Sequence, residues 1–320
     1  MKFIYLDQKV WIALARSIVR KTADVNFLNK IREKIDIGEW AFPLSIEHLI
    51  ETSKRLDDRT RNELATVMGK FSKNYTIAPY PTYKHKEFLL STLSLNGTID
   101  NKLPLKDSII KQDYANIVGL NFENMKITSK YLSENETEKY TAELLQYLKA
   151  TDLFSIYANY FSSGKFADDI QEDVKFFAET YEEYRKELHT TIPEKHKTYR
   201  YKIFLANRFC DLQEEIIKLG FDIDKLLPKT LFETAESTMR CLSETPSFYV
   251  NTTLTFEILN SKDRKFTGND YYDISFLSAA IPYCDIVITE ISWASIAKKY
   301  KLHTKYNTKI YNKLDGLMKE

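Results

Sequence analysis

Six acidic residues stand where a strand ends or a helix begins. Asp7 follows the apolar run KFIYL (2–6), and Glu47 and Glu51 lie in IEHLIET just after WAFPL (40–44). Asp270 and Asp273 open a helical stretch, and Glu290 follows DIVIT (285–289). Ligands of a parallel α/β sheet collect outside the carboxyl ends of its strands, so Asp7 and Glu290 belong on that edge. Glu51 is two helical turns beyond the second strand, with Glu47 on the same helix face. A crossover helix starts at that edge and runs back, which brings Asp270 and Asp273, three apart on one face, to the same crevice. Asp285 stands at the other end of its strand, about 13 Å from Glu290 at roughly 3.3 Å per residue, and is read as structural. Singly, each acid has a plainer use as a helix cap or a partner of the helix dipole. Together they repel and raise one another's pKa, and such an oxygen-rich cluster suits Mg²⁺ or Mn²⁺. Divalent ions held this way activate water and stabilise an in-line displacement at phosphorus. The chemistry is that of a nuclease.

The elements that must position these acids divide into two end regions and a middle. KFIYL is apolar on both faces, as expected of a buried central strand. Helical periodicity runs from Val10 to about Ile35, and WAFPL makes a second short strand, with Pro43 near its end. Ser45 offers an N-cap to a helix over 46–55. A further helix is expected at 57–72 and a third strand or strand remnant in YTIAPY (75–80), with residues 81–100 loop-like. From 105 to 260 the pattern is mainly helical, and 171–189 is a charged amphipathic helix whose charges read as a solvated face. The α/β pattern resumes with a helix over 270–281 that begins at Asp270, then Pro282, the strand 285–289, a helix over 291–300 and a last strand in LHTKY (302–306). The expected organisation is one α/β domain made of residues 1–80 and 265–320, split by a mainly helical insertion over 81–264.

Bulk properties narrow the field. The 320 residues are 43% hydrophobic and 28% charged, an ordinary globular composition long enough for a substantial core. Eight glycines, against roughly twenty at average usage, favour long helices. A net charge of +1 excludes a broadly basic coat, so a polyanion must be held by a local patch or through metal. The three cysteines, Cys210, Cys241 and Cys284, lack zinc spacing and read as reduced thiols. No stretch reaches the ~20 apolar residues of a membrane span, and the opening run is too short for a signal peptide. A cytoplasmic protein with no membrane partner is expected.

The segments IYLDQKVWIALAR, FPLSIEHLIET and NDYYDISFLSAAIPYCDIVITE resemble the PIN-like nuclease domains of bacteria. In that family an Asp follows the first strand, as Asp7 does, and a Glu lies in the helix after the second strand, where Glu51 matches. A third acid opens the helix about sixteen residues before a strand-ending threonine; Asp273 fits, with Thr289 as that threonine, and Glu290 takes the fourth position, where Asp or Asn is more usual. Asp270 would be an additional member. The resemblance covers about residues 1–80 and 265–310. It implies a three-layer α/β/α fold around a central parallel sheet, dependence on Mg²⁺ or Mn²⁺ held by Asp7, Glu51, Asp273 and Glu290, and cleavage of single-stranded or structured RNA. Membership of toxin or phage-defence systems, with an inhibitor or defence-system partner protein, follows by analogy only. Compact members of the family pair, which implies a homodimer unless the insertion covers that surface.

Two basic clusters border the expected crevice: Lys54, Arg55, Arg59 and Arg61 after Glu51, and Lys262, Arg264 and Lys265 before Asp270. Lys54, Arg55, Lys262, Arg264 and Lys265 are candidates to hold phosphates beside the scissile bond, against ordinary surface charge. Trp11 and Trp293 read as core residues rather than base-stacking platforms. The five histidines show no metal spacing, and His48 reads as structural. Two other readings stay open: a non-catalytic PIN-like module that binds nucleic acid or protein, and a flap-type DNA nuclease or phosphatase using the same acids.

Overall fold

Strand β1 (Lys2–Leu6) alternates its side chains between two cores. Ile4 and Leu6 join Ile286 and Ile288 on one face, among Trp11, Phe42, Leu49 and Met68. Tyr5 joins Val287 and Ile310 on the other, among Phe276, Leu277 and Trp293. A strand whose successive residues enter different cores is covered on both faces, which is why its sequence is apolar throughout. The computed structural model describes residues 1–95, 105–120, 131–163, 166–193, 196–220, 222 and 234–320.

Four strands make the central parallel sheet: β1, β2 (Trp40–Ala41), β5 (Ile286–Ile288) and β6 (Lys309–Tyr311), in the order β2-β1-β5-β6. Two further strands, β3 (Tyr75–Ile77) and β4 (Ile110–Gln112), pair antiparallel in a small separate sheet, tied to the first by a bridge from Leu44 to Thr76. Leu6 faces Ile288 in the register, so the two central strands end level. The Asp7 N–H then donates to the Ile288 carbonyl at 2.9 Å, which sets Asp7 beside Thr289. The molecule is a mixed α/β structure, mostly helical, around this sheet.

The middle of the chain is largely helical and does not stand apart from the sheet. Leu188 of the helix Phe166–Thr191, Phe204 of Lys197–Lys218 and Val250 and Leu254 of Pro246–Leu259 all enter the core that holds Tyr5 and Val287. Full burial of such a side chain contributes about 1.5–3 kcal/mol, so these helices are part of what stabilises the sheet. No helix among the described residues is long and apolar enough to cross a membrane.

Several expected elements are corrected. The helical pattern from Val10 is two helices, Gln8–Val19 and Val25–Asp36, broken at Lys21 with φ 56° and restarted by the Asp24 cap. YTIAPY does supply the expected strand, but only over Tyr75–Ile77, as β3 of the small sheet. Residues 80–95, expected as loop over 81–100, form the helix Tyr80–Leu95, while 96–100 lie outside the described residues. Its inner face carries Glu87, Ser91 and Thr92 beside Tyr83 and Phe88, and buried polar residues erase the apolar period that would announce it. LHTKY is helical over Leu302–Lys305, and the last strand is Lys309–Tyr311. The helix expected from Asp270 starts at Gly268, with Pro282 inside its last turn.

One glycine is fixed by packing. Gly69 sits within the helix Asp58–Ser72, where alanine would ordinarily be better by about 1 kcal/mol. A Cβ there would run into the carboxylate of Asp152, the N-cap of the helix Leu153–Tyr160. Gly69→Ala is therefore expected to destabilise the protein by roughly 1–3 kcal/mol, the cost of overpacking; chemical denaturation checks the sign.

Candidate functional site

Asp7 caps the helix Gln8–Val19 as a plain N-cap would, with Oδ1 accepting from the Lys9 N–H at 3.0 Å. Its other oxygen, Oδ2, accepts from the Thr289 hydroxyl at 3.1 Å across the ends of β1 and β5. Burial raises its pKa, against both of these hydrogen bonds.

Glu51 is brought near Asp7 by His48. The helix Ile46–Ser53 begins at Ser45, and the His48 ring stands over its first turn. Nδ1 accepts from the Ser45 N–H at 3.1 Å while Nε2 donates to the Leu6 carbonyl at 2.8 Å, one residue before Asp7. This arrangement requires the neutral Nε2–H tautomer, and burial holds the His48 pKa down to about 4. The ring is sandwiched with Tyr5, centroids 4.9 Å apart. His48 is structural, as read from the sequence, and its work is to clamp the Glu51 helix to the end of β1. Burial first, then the charges of Asp7 and Glu47, push Glu51 up to about 7, with Lys54 opposing.

Asp273, in the second turn of the helix Gly268–Tyr283, accepts a hydrogen bond from Trp293 Nε1 at 2.8 Å. Trp293 is buried in the core, as expected, but its indole N–H aims at the site. Desolvation is the largest influence on Asp273; with the charges of Asp7, Glu51 and Glu290, and against the Trp293 bond, it raises the carboxyl to about 8. Trp293→Phe keeps most of the apolar surface and removes the donor. Its expected result is an Asp273 pKa higher still, read by carbon-detected NMR titration of the metal-free protein; an unchanged value would mean the bond has no electrostatic effect.

Glu290 starts the helix Ile291–Lys299 without a side-chain cap bond and instead pairs with Lys9 at 3.1 Å. Asp7, Glu51, Asp273 and Glu290 line one crevice, with Gln8, Lys9, Ile12, Lys54, Asn269 and Tyr272 as its remaining wall. Asp285 lies at the far end of β5, accepting from the Phe3 N–H at 2.7 Å and pairing with Lys106.

Other candidates fall elsewhere. Asp270 is not on the crevice. It is the N3 residue of a capping box, accepting from the Thr267 N–H at 2.9 Å and hydroxyl at 2.7 Å, and its other oxygen pairs with Arg264. The dipole and cap explanation suffices for it. Glu47 points inward and accepts from the Ser275 hydroxyl at 2.6 Å. Arg264 is held by Asp270 and lies 5.2 Å from the Trp293 ring, so it braces the site from behind. Lys262 and Lys265 are exposed and outside the crevice wall. Lys54 borders the crevice, with its ammonium 4.8 Å above the Tyr272 ring, while Arg55 faces an adjoining cleft. Arg61 is buried, binding Asp58 and the Arg55 carbonyl. Sequence reasoning missed Lys9 and the polar end of Trp293, for which the only signal was their distance of two and three residues from Asp7 and Glu290.

The fit to a divalent cation is a matter of donor type. All four acids offer hard oxygen, three have raised pKa values, and only Lys9 and Lys54 supply positive charge on the crevice wall. Among the described residues, however, no three His, Cys, Asp or Glu side chains are gathered as a ready ion cage. Side chains would have to close in around an ion; the donors suit it and the spacing is open. Compared with protein families, with curated proteins and with solved structures, the chain matches none of them.

Proposed function

We propose that the protein is a metal-dependent endoribonuclease of PIN-like, three-layer α/β/α type, cutting RNA phosphodiester bonds at the Asp7–Glu51–Asp273–Glu290 crevice. The observation that carries this reading is the line of four carboxylates on one crevice, three of them with raised pKa values. Uncompensated buried acids are costly, and sites that accept the cost are disproportionately functional.

Asp7, Glu51, Asp273 and Glu290 would hold Mg²⁺ or Mn²⁺. Such an ion, when bound, supplies Lewis acidity and offsets charge building on the phosphoryl oxygens. The rest falls to the chain itself. Thr289 and the Lys9 N–H fix the Asp7 carboxylate, and Trp293 fixes that of Asp273. Lys54, beside Glu51, is placed to meet a phosphate, and burial lowers its pKa while Glu51 opposes that shift. Lys9 pairs with Glu290 at the exposed rim of the crevice. An inhibitor or defence-system partner and pairing of two copies belong to the same proposal by analogy with the family. The test is cleavage of labelled RNA, single-stranded DNA and a small phosphoester, with Mn²⁺, Mg²⁺ or EDTA. RNA cut only with metal supports the reading; preference for DNA or the phosphoester would replace it.

A further inference from the structure

Two of the clefts that share residues with the acidic crevice differ in chemistry. Lys54, Asn269 and Tyr272 line the crevice and also a cleft whose other wall is the helix Phe166–Thr191, through Val174 and Lys175. Ile12 lines the crevice and also a cleft bordered by Arg16, Arg20 and Arg55.

The first cleft leads to a chain of rings. Tyr272 contacts Tyr271 edge-on, with centroids 6.2 Å apart. Tyr271 is stacked on Phe177 at 5.1 Å and 7°, and Phe177 contacts Phe176 at 5.9 Å. The series runs outward from burial: Tyr272 is 5% exposed, Phe177 39% and Phe176 65%. Two neighbouring phenylalanines left in water, on a helix otherwise rich in charge, forgo burial that folding would normally use. The strip is also held in place. Val174 packs against Ile50 and Tyr272, and a Cβ on Gly268 would come within 2.8 Å of Val174 Cγ1 and displace it.

The second cleft is cationic. Arg16 and Arg20 are one helical turn apart and exposed, and the Arg55 Nε is buried without a hydrogen-bond partner among the described residues. The acid in this cleft, Glu63, is engaged by Arg59.

Arginines that meet phosphates beside rings that meet bases form a single-strand platform, because base faces are open to stacking only when unpaired. We infer that the site takes a single-stranded nucleic-acid segment, its phosphates in the Arg16–Arg20–Arg55 cleft and its bases on Tyr271, Phe177 and Phe176, with the acidic crevice linking the two. The inference rests on the nuclease proposal and deepens it by placing the phosphate and base contacts outside the acidic crevice, and binding tests it independently of cleavage.

The experiment is an anisotropy titration of the full chain in EDTA with labelled oligouridine RNA, the matching single-stranded DNA, and the RNA annealed to its complement, over a range of salt. Both single strands bind, and the duplex binds at least about tenfold more weakly. Phe176→Ala/Phe177→Ala weakens single-strand binding about 5- to 150-fold per lost stack with an unchanged salt slope. Arg16→Gln/Arg20→Gln instead flattens the slope of log K against log salt by about 1.4, or 0.7 per phosphate. Circular dichroism checks folding, and Phe176→Ser, at the most exposed ring, replaces the double variant if that one unfolds. Unchanged binding by the phenylalanine variants, equal affinity for duplex, or no binding of any nucleic acid overturns the inference, the last including a protein partner on the rings. Single-strand binding without cleavage in Mn²⁺ upholds the tract and rejects the nuclease; cleavage with unaltered binding by the phenylalanine variants does the reverse.

Discussion

Asp273→Asn is expected to abolish metal-dependent RNA cleavage, by more than about a hundredfold, while making the metal-free protein more stable. Loss of a residue that merely orients a ligand typically costs 10- to 100-fold, and Asp273 would be a ligand itself. Asparagine retains an oxygen for the Trp293 N–H, so the site's geometry is kept and its charge is not. The stability gain follows from the pKa. Burial, and secondarily the charges of Asp7, Glu51 and Glu290, raise Asp273 to about 8, whereas in the unfolded chain it titrates near 4. Across that interval the folded state holds a proton that the unfolded state releases. Stability is therefore undiminished below pH about 4 and falls as pH rises toward 8. The asparagine variant does not take part in this loss, and at pH 8 in EDTA it should exceed wild type by roughly 1–3 kcal/mol, after discounting for the open crevice. At pH 4 the two should melt together. An active variant, or one less stable at pH 8, would remove Asp273 from its assigned place.

Metal affinity should rise steeply with pH, on the order of a hundredfold between pH 6 and 8. Carboxyls must be deprotonated to bind a cation, so each proton displaced contributes up to about tenfold per pH unit. Glu51, raised to about 7, and Asp273, raised to about 8, both titrate inside this window, and burial is the leading cause in each case. Exposed carboxylates would be ionised throughout and give a flat curve. Titration of Mn²⁺ by calorimetry at pH 6, 7 and 8 measures the effect together with the protons released. A pH-independent affinity would place the ion elsewhere or show that the crevice has none.

What the sequence disclosed of this site, it disclosed through the sheet. An apolar run followed by an acid places that acid at the strand's carboxyl end, and Asp7 and Glu290 were legible for that reason, as Asp285 was for the opposite one. Asp273 and Glu51 followed from helix spacing. Asp270 did not, because a capping box and a ligand pair make the same demand for an acid near a helix start, and only the Thr267 bonds decide between them. The direction of the Trp293 indole was invisible, since its ring reads as core and its N–H has no sequence signature. The strand Lys309–Tyr311 was missed because its single buried residue, Ile310, stands between an exposed lysine and a half-buried tyrosine and makes no apolar run, and the Tyr80–Leu95 helix for its buried Glu87, Ser91 and Thr92. The aromatic strip joins rings about 95 positions apart in the chain, a contact that periodicity cannot express.

The most direct measurement is cleavage of labelled RNA by the purified protein with Mn²⁺ or EDTA, beside Asp7→Asn shown by circular dichroism to be folded. Asp7 caps a helix and meets Thr289 through oxygens that asparagine partly retains, so the variant tests charge rather than fold. Wild type is expected to cut in Mn²⁺ and not in EDTA, and Asp7→Asn to cut in neither. Equal cutting by both proteins, or cutting that EDTA leaves untouched, would contradict it.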